Sequence, residues 1–428
     1  MSKDYLTPDL LGSMYLYSGS DRSGSAFCYV VSLTMTVDMA VMERALEDLM
    51  PRFPQLALKA VPQEESIVYR GMDSPVRVYP LGERSSFAAS GAFGHDCLFA
   101  VFADHKTFYF DFHKSLTDEK GVVPFVRAAI FRYLLLSGYD VENDGSVITP
   151  ESEFHDIEAD DAFVRLDDIP ASRPVWYMDA KALNIDVTSM DGDFRVTQIH
   201  VPLPKVKGEV RGYCPVPSTI ISPFFSHALL QEYPEKDVQG EYAVSCIQVN
   251  LRQYFPTTTL RPFFVNLPLA YNRRLSEYPV ATVLMSQKKL LEAQLRTDAL
   301  AYNAQRRISV LDRISDLGTL REKVEAAGKT MEEQASRATF SLCNIGSVIM
   351  PETMLQYITE FYPVVTPSMF PYSISTINFR GDLIVTVASS LPGDGVCRRL
   401  TALMKEYGIP AFISESYSIS PLKYKPIL

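Results

Sequence analysis

Residues 111–121, with the sequence DFHKSLTDEKG, form the stretch of the chain richest in side chains able to carry acid–base chemistry. The imidazole of His113 titrates nearest to neutral pH, and burial can lower the pKa of Lys114 toward neutrality. Asp118 adds a carboxylate to the same few residues. A group that exchanges a proton near pH 7 is what general acid–base catalysis requires. An exposed loop with a capping role is the alternative that the residues alone leave open.

The patterns around this segment predict a strand before it and a buried helix after it. Two β-rich runs, residues 97–103 and 107–113, flank a short polar turn and predict a hairpin. The apolar stretch 122–139 follows the loop and is typical of a buried helix. Upstream, residues 26–36 alternate as a strand, and Asp38 predicts the start of an amphipathic helix. A loop between a strand and a buried helix can project its side chains into a cleft.

The second half of the chain repeats this mixture of strands and helices, after a connecting stretch rich in Asp, Glu and Pro. Its predicted strands are 194–201, 242–250, 338–342, 373–378 and 383–388. Its predicted helices begin near Ser218, cover 283–336 with breaks near Gly318 and Gly328, and cover 393–407. The tripeptide Arg380-Gly381-Asp382 lies between two strand runs and predicts a tight turn. We therefore expect two layered α/β domains of similar build.

Composition excludes several classes of protein. The 428 residues carry 41 basic and 51 acidic side chains, a net charge of −10, which disfavours binding to nucleic acid. No apolar run approaches the ~18 residues that a membrane span needs, and the amino terminus does not read as a secretory signal. The 6 Cys residues are scattered without a CxxC pair, so we expect reduced thiols and no metal site. A monomeric cytoplasmic protein is the expectation.

Four stretches, in order, resemble the chloramphenicol acetyltransferase and condensation-domain superfamily, in particular its bacterial alcohol acetyltransferase-like branch. The loop HKSLTDE resembles the signature HHxxxDG in degenerate form. The other three stretches are VNLR with the nearby FP and TLR, ATFS with NIG, and the late NFRGDL. Together with the early strand and the helix ending in RFPQL, the similarity touches most of the chain.

The resemblance implies two subdomains around a central tunnel, which an acyl thioester and an acceptor alcohol or amine enter from opposite sides. It implies an N-terminal subdomain at 1–165, a crossover at 166–193 and a C-terminal subdomain at 194–428. It pairs Asp118 of the motif with Arg252 in an ion pair that holds the loop, and it places Ser375 and Asn378 on the tunnel. The co-substrate is then an acyl-CoA or acyl-carrier thioester, with no metal and no tightly bound cofactor, and a carrier protein is an expected partner.

The motif departs from the family pattern at the catalytic position. His113 aligns with the first, structural His, Lys114 aligns with the second, catalytic His, and Glu119 replaces the Gly. Strand alternation puts Lys114 on the face opposite His113, so Lys114 should face the tunnel. A cationic Lys cannot accept a proton unless burial lowers its pKa by several units.

Three outcomes stay open at this point. In the first, a bulge turns His113 inward as the general base, and the protein transfers an acyl group to a small alcohol or amine. In the second, the protein is a catalytically inactive relative that binds a ligand or a protein, with Lys114 holding an anion. In the third, Lys114 is itself an unusual base or nucleophile.

Overall fold

Two large β-sheets organise the described part of the chain, one built mainly from each half of the sequence, and the strands at 58–62 and 67–71 form a separate two-stranded sheet. The computed structural model describes residues 6–18, 25–174, 182–185, 192–213, 216–233, 242–367 and 369–422. The strands are β1 Ala26–Leu33, β2 Leu58–Pro62, β3 Ile67–Gly71, β4 Val78–Pro80, β5 Phe99–Asp104, β6 Thr107–His113, β7 Phe194–Pro202, β8 Tyr242–Asn250, β9 Phe264–Asn272, β10 Phe340–Ser347, β11 Ile358–Val365, β12 Tyr372–Phe379, β13 Asp382–Ser389 and β14 Phe412–Ile419. The α-helices are α1 Leu10–Tyr17, α2 Met39–Leu49, α3 Arg84–Ser90, α4 Ala92–His95, α5 Val123–Leu136, α6 Ser218–Glu232, α7 Val280–Gln294, α8 Thr297–Ser315, α9 Leu320–Ala335, α10 Glu352–Leu355 and α11 Gly395–Glu406.

The N-terminal sheet has the strand order β11-β1-β6-β5-β4. The predicted hairpin is confirmed as β5 and β6, and the predicted buried helix is confirmed as α5. Phe99 and Phe112 stack as a cross-strand pair at 4.9 Å, and Phe125 of α5 meets Phe99 edge-on at 5.2 Å. Such aromatic packing stabilises beyond the area buried. It fixes the end of β6, from which the candidate loop begins.

The C-terminal sheet has the strand order β14-β7-β13-β12-β10-β8-β9, with α6 and α11 packed against each other beside it. Phe225 of α6 packs on Phe340 of β10 with ring centroids 4.8 Å apart. The hairpin β12–β13 turns at Arg380 (φ 52°) and Gly381 (φ 85°). Positive φ at both central residues is the type I′ geometry of tight hairpins, which confirms the predicted turn.

The long helical region of the second half contains three helices, α7, α8 and α9. The break predicted near Gly318 is confirmed, but the break predicted near Gly328 is wrong, because Gly328 lies inside α9. A Gly within a helix costs only about 1 kcal/mol relative to Ala. Thr319 and Glu322 form a reciprocal capping box at the start of α9, and this helps the helix continue past the glycine.

One strand is exchanged between the halves. β11 comes from the second half of the chain, yet it pairs antiparallel with β1 in the N-terminal sheet. The sequence boundary at residue 194 does not predict this exchange. Of the predicted crossover, residues 166–174, 182–185 and 192–193 are described, and the others lie outside the described residues. Within the described part of the chain, no helix is both long and apolar enough to cross a bilayer.

Candidate functional site

The loop that follows β6 docks directly on the second half of the chain. Thr117 Oγ1 donates to the carbonyl of Leu260 at 2.6 Å, and Lys120 Nζ donates to the carbonyl of Ile345 at 2.8 Å. The backbone of Gly121 also packs tightly against the second half, since a Cβ added at this position would lie only 2.6 Å from the carbonyl oxygen of Leu260. The loop therefore lies at the junction of the two halves, where its side chains contact both.

Asp118 is the most heavily bonded residue of this loop. Its carboxylate accepts hydrogen bonds from the backbone amides of Gly121 at 2.6 Å, Lys120 at 3.0 Å and Phe263 at 2.8 Å. Nη1 of Arg252 lies 2.8 Å from Asp118 Oδ2, with the two side chains 13% and 2% exposed. Arg252 also donates to the carbonyls of Thr259 and Arg261 at 2.8 and 2.5 Å. The structure thus brings together the two residues that the resemblance pairs.

Lys114 forms a second ion pair, which joins the two ends of the loop. Lys114 Nζ lies 2.8 Å from Glu119 Oε1, and the Glu119 side chain is fully buried. The other oxygen of Glu119 accepts from Gln248 Nε2 of β8 at 2.5 Å. Burial alone would lower the pKa of Lys114, but the adjacent Glu119 carboxylate raises that pKa above its ordinary value. Lys114 is consequently a largely buried cation paired with the Glu119 carboxylate.

Further groups from α1, α8, β8 and β10 surround this ion pair. Burial raises the pKa of Tyr15, while the charges of Lys114 and Arg307 act to lower it. Burial also raises the pKa of Cys246 to about 11 and holds that of Cys343 well above its usual range. These thiols are protonated at neutral pH and are poor nucleophiles. The described residues contain no group of three or more His, Cys, Asp or Glu side chains that could hold a metal ion.

His113 lies on the other side of the β6 strand end. β6 pairs with both β1 and β5 in unbroken register as far as this region, with Ala26 opposite His113, so no bulge turns the ring toward the junction. The ring is fully buried, with its centroid 6.1 Å from that of Phe93, and its Nδ1 lies 2.7 Å from Ser115 Oγ. Burial and the charge of Lys114 together lower the pKa of His113 to about 3. The regular pairing of β6 extends to His113, its last residue, and Lys114 lies in the turn that follows.

Ser375 and Asn378 are not brought together. Cys343 of β10 pairs with Gln248 on one side and Ser375 on the other, so these three residues form one row across the sheet. Asn378 is three residues further along β12, and an odd separation places it on the opposite face. Ser375 Oγ donates to the carbonyl of Pro363 at 2.5 Å, whereas Asn378 Nδ2 donates to Ser347 Oγ at 3.4 Å. One tunnel wall cannot contain both side chains.

Sequence reasoning missed Gln248, Tyr15 and Arg307: none of them belongs to a quoted motif, although Gln248 directly precedes VNLR. It also treated Glu119 only as a departure from Gly. Two departures from the motif could have predicted the ion pair: a cation replaces the second His, and a carboxylate replaces the Gly. When one loop gains two opposite charges, such as Lys114 and Glu119, an ion pair between them is the expected arrangement.

Comparisons with known proteins identify the fold. No family model matches the chain, and no curated protein matches it in sequence. Among solved structures, TRI101 of F. graminearum in complex with coenzyme A and deoxynivalenol matches at a TM-score of 0.60 and 11% identity, over 94% of this chain and 98% of that one. The epimerization domain TycB3(E) of tyrocidine synthetase B matches at 0.56 and 13%, over 95% and 97%. The starter condensation domain of rhizomide synthetase RzmA, in complex with C8-CoA, matches at 0.56 and 10%, over 94% of each chain.

The chain shares its fold with these three solved structures. The predicted class, two subdomains that each combine a sheet with helices, is confirmed. Identities of 10–13% establish this shared fold and do not by themselves establish what this chain binds or transforms.

Proposed function

We propose that this protein binds an acyl thioester, presented on coenzyme A or on a carrier protein, at the junction of its two halves. In the same proposal, the protein does not perform acyl transfer with a histidine base. The observation that carries the second statement is the Lys114–Glu119 ion pair, which stands where the resemblance puts the catalytic histidine. The protein is then an acyltransferase-like binding protein of the cytoplasm.

The electrostatics of the pair argue against Lys114 as a base or nucleophile. A general base must be unprotonated at the working pH, and a nucleophilic amine must be neutral. Glu119 raises the pKa of Lys114, which is the wrong direction for either role. Glu119 in turn has both oxygens engaged, one by Lys114 and one by Gln248. A reacting hydroxyl or amine would have to displace one of these partners to reach the carboxylate.

A thioester as the ligand is supported by the shared fold and by local charge. TRI101 was crystallised with coenzyme A, and the RzmA condensation domain with C8-CoA. In this chain Lys114 and Arg307 contribute two cations around Tyr15, against the single carboxylate of Glu119. A net positive charge at the junction favours an anionic ligand, although the whole chain carries −10.

Acyl transfer to a small alcohol or amine is the second candidate, with His113 as the base. TRI101, which shares this fold, was crystallised with both coenzyme A and deoxynivalenol, so the fold can hold coenzyme A and a second small molecule together, as transfer requires. Burial lowers the pKa of His113 to about 3, which leaves its imidazole neutral at pH 7 but makes it a weak base. The ring would first have to leave its buried position beside Phe93, where it is 0% exposed.

Binding and turnover measurements on the full chain separate the two candidates. Calorimetric titration with acetyl-CoA and octanoyl-CoA measures binding, and thiol release from the same donors, with a panel of small alcohols and amines, measures transfer. We expect binding of a thioester without transfer above the uncatalysed rate. Absence of binding to any thioester contradicts the proposal. Transfer that His113→Ala abolishes contradicts it in favour of the second candidate.

A restored motif provides a positive control for the assay. The double variant Lys114→His/Glu119→Gly recreates the signature residues and removes both members of the ion pair together, so no unpaired charge stays buried. If the missing base is what prevents transfer, this variant should gain thiol release that depends on the acceptor. Lys114→Ala alone should stay inactive, since it supplies no base. Transfer by the wild type that survives both His113→Ala and Lys114→Ala would contradict both candidates.

A further inference from the structure

A cavity lies in the N-terminal half, away from the junction. It occupies about 240 Å³ between β4, β5, helix α3 and the segment that carries Asp96 and Cys97. This volume is slightly below the usual range for sites of drug-sized ligands, so it suits a ligand the size of one amino acid. None of its lining residues belongs to the loop at 114–121.

The inner wall of this cavity is apolar and aromatic. Tyr79 and Phe87 pack with ring centroids 5.1 Å apart, and both line the cavity. Val76, Phe99 and Ala100 complete the wall and are buried. Flat aromatic walls favour a ligand with its own ring, because offset and edge-to-face ring contacts add to simple burial.

The mouth of the cavity carries charges of both signs. Asp73 is already paired with Lys59, outside the cavity lining. Arg77 and Asp96 are exposed, and within the described part of the chain their side chains form no ion pair and no side-chain hydrogen bond. Both act on the phenol of Tyr79: burial is the main cause that raises its pKa, Arg77 lowers it, and Asp96 raises it. The cation and the carboxylate thus stand near the same aromatic residue.

We propose that this cavity binds a single zwitterionic amino acid with an aromatic side chain. The ring lies against Tyr79 and Phe87, the ligand carboxylate pairs with Arg77, and the ligand ammonium pairs with Asp96. A guanidinium suits a carboxylate because it can donate two parallel hydrogen bonds. The site is independent of the thioester proposal, since it shares no residue with the junction.

The cavity is a binding site and not a second centre of covalent chemistry. Cys97 lines it, but burial raises the pKa of this thiol to about 12, so the reactive thiolate is scarce at neutral pH. Its Sγ contacts the carbonyl of Ala92 at 3.8 Å. Cys97 therefore contributes a small apolar surface to the wall.

Calorimetric titration of the full chain with L-phenylalanine tests the site. Three related probes each remove one feature: phenethylamine lacks the carboxylate, 3-phenylpropionate lacks the ammonium, and L-alanine lacks the ring. We expect saturable binding of L-phenylalanine, and at least about ten-fold weaker binding of each probe, because each loses one charge-assisted or aromatic contact. Arg77→Gln and Asp96→Asn should each weaken L-phenylalanine binding by about ten-fold or more.

Arg70→Gln is the matched control, because Arg70 is an exposed cation on β3 outside the cavity lining. It should leave the affinity unchanged, and both test variants lie on the surface and should fold normally. Absence of heat at millimolar L-phenylalanine overturns the proposal. The proposal is also overturned if Arg77→Gln and Asp96→Asn leave the affinity for L-phenylalanine unchanged, or if L-alanine binds as tightly as L-phenylalanine. Because the cavity shares no residue with the junction, absence of L-phenylalanine binding leaves the acyl-CoA titrations unchanged, and the two failures are distinguishable.

Discussion

Arg252→Ala removes the cation that neutralises a buried carboxylate, and its cost can be worked from the contacts. Asp118 is 2% exposed and Arg252 13% exposed, so water cannot replace the guanidinium freely. Removing one partner of a buried pair typically costs about 3–5 kcal/mol in the free energy of unfolding. Asp118 keeps the backbone amides of Lys120, Gly121 and Phe263, which continue to stabilise its charge. We therefore expect a loss near the lower limit, about 3 kcal/mol.

A double-mutant cycle with Asp118→Asn isolates the interaction between the two side chains. Denaturant unfolding of the wild type, both single variants and the double variant should give a coupling of about 1–3 kcal/mol. Arg321→Ala is the matched control, since Arg321 and Glu325 form an exposed pair, 84% and 70% accessible, and such pairs contribute within about 1 kcal/mol. A loss for Arg252→Ala no larger than that for Arg321→Ala would refute the reasoning that this pair holds the loop.

Three further predictions concern the junction and helix α1, whose N-cap Asp9 accepts a hydrogen bond from the backbone amide of Gly12. Lys114→Met should destabilise by about 3–5 kcal/mol because it leaves the Glu119 carboxylate buried without its cation, and Lys114→Met/Glu119→Gln should recover much of this loss in denaturant unfolding. Gly121→Ala should destabilise by about 1–3 kcal/mol, since its Cβ would lie 2.6 Å from the oxygen of Leu260, whereas Gly82→Ala, with nothing within 4 Å, should not; equal denaturation midpoints would contradict this. Burial raises the pKa of Asp9 from 3.8 to about 7, so the unfolded chain loses this proton first, and stability should fall as pH rises from about 4 to about 7; Asp9→Asn should flatten that slope, and an unchanged slope would count against it.

Local patterns predicted much of the N-terminal half. The hairpin β5–β6 and the helix α5 follow from period-two and apolar runs, because these elements depend on residues close together in sequence. The same alternation predicted that Lys114 and His113 face opposite ways; β6 keeps a regular register as far as His113, and Lys114 lies just beyond the strand. Propensity failed at Gly328, where the helix continues through the glycine.

Contacts between distant segments were beyond these patterns. β11 joins the N-terminal sheet through pairing with β1, more than 300 residues earlier in the chain, and no local signal distinguishes it from a strand of its own half. The resemblance implied that Ser375 and Asn378 both line the tunnel, yet strand alternation places their side chains on opposite faces of β12. Gln248, which donates a hydrogen bond to the Glu119 carboxylate, lies 129 residues from Glu119 in the sequence.

By itself, the amino-acid sequence determined that a lysine follows His113 and that a glutamate follows this lysine five residues later, and strand alternation predicted opposite faces for His113 and Lys114. Those properties depend on residue identity and on the two-residue period of a strand. Only the tertiary structure decided that Glu119 and Gln248 enclose this lysine and that His113 is sealed beside Phe93. The reason is physical: the charge state of a side chain depends on burial and on neighbours from other segments, and the path of the folded chain fixes both.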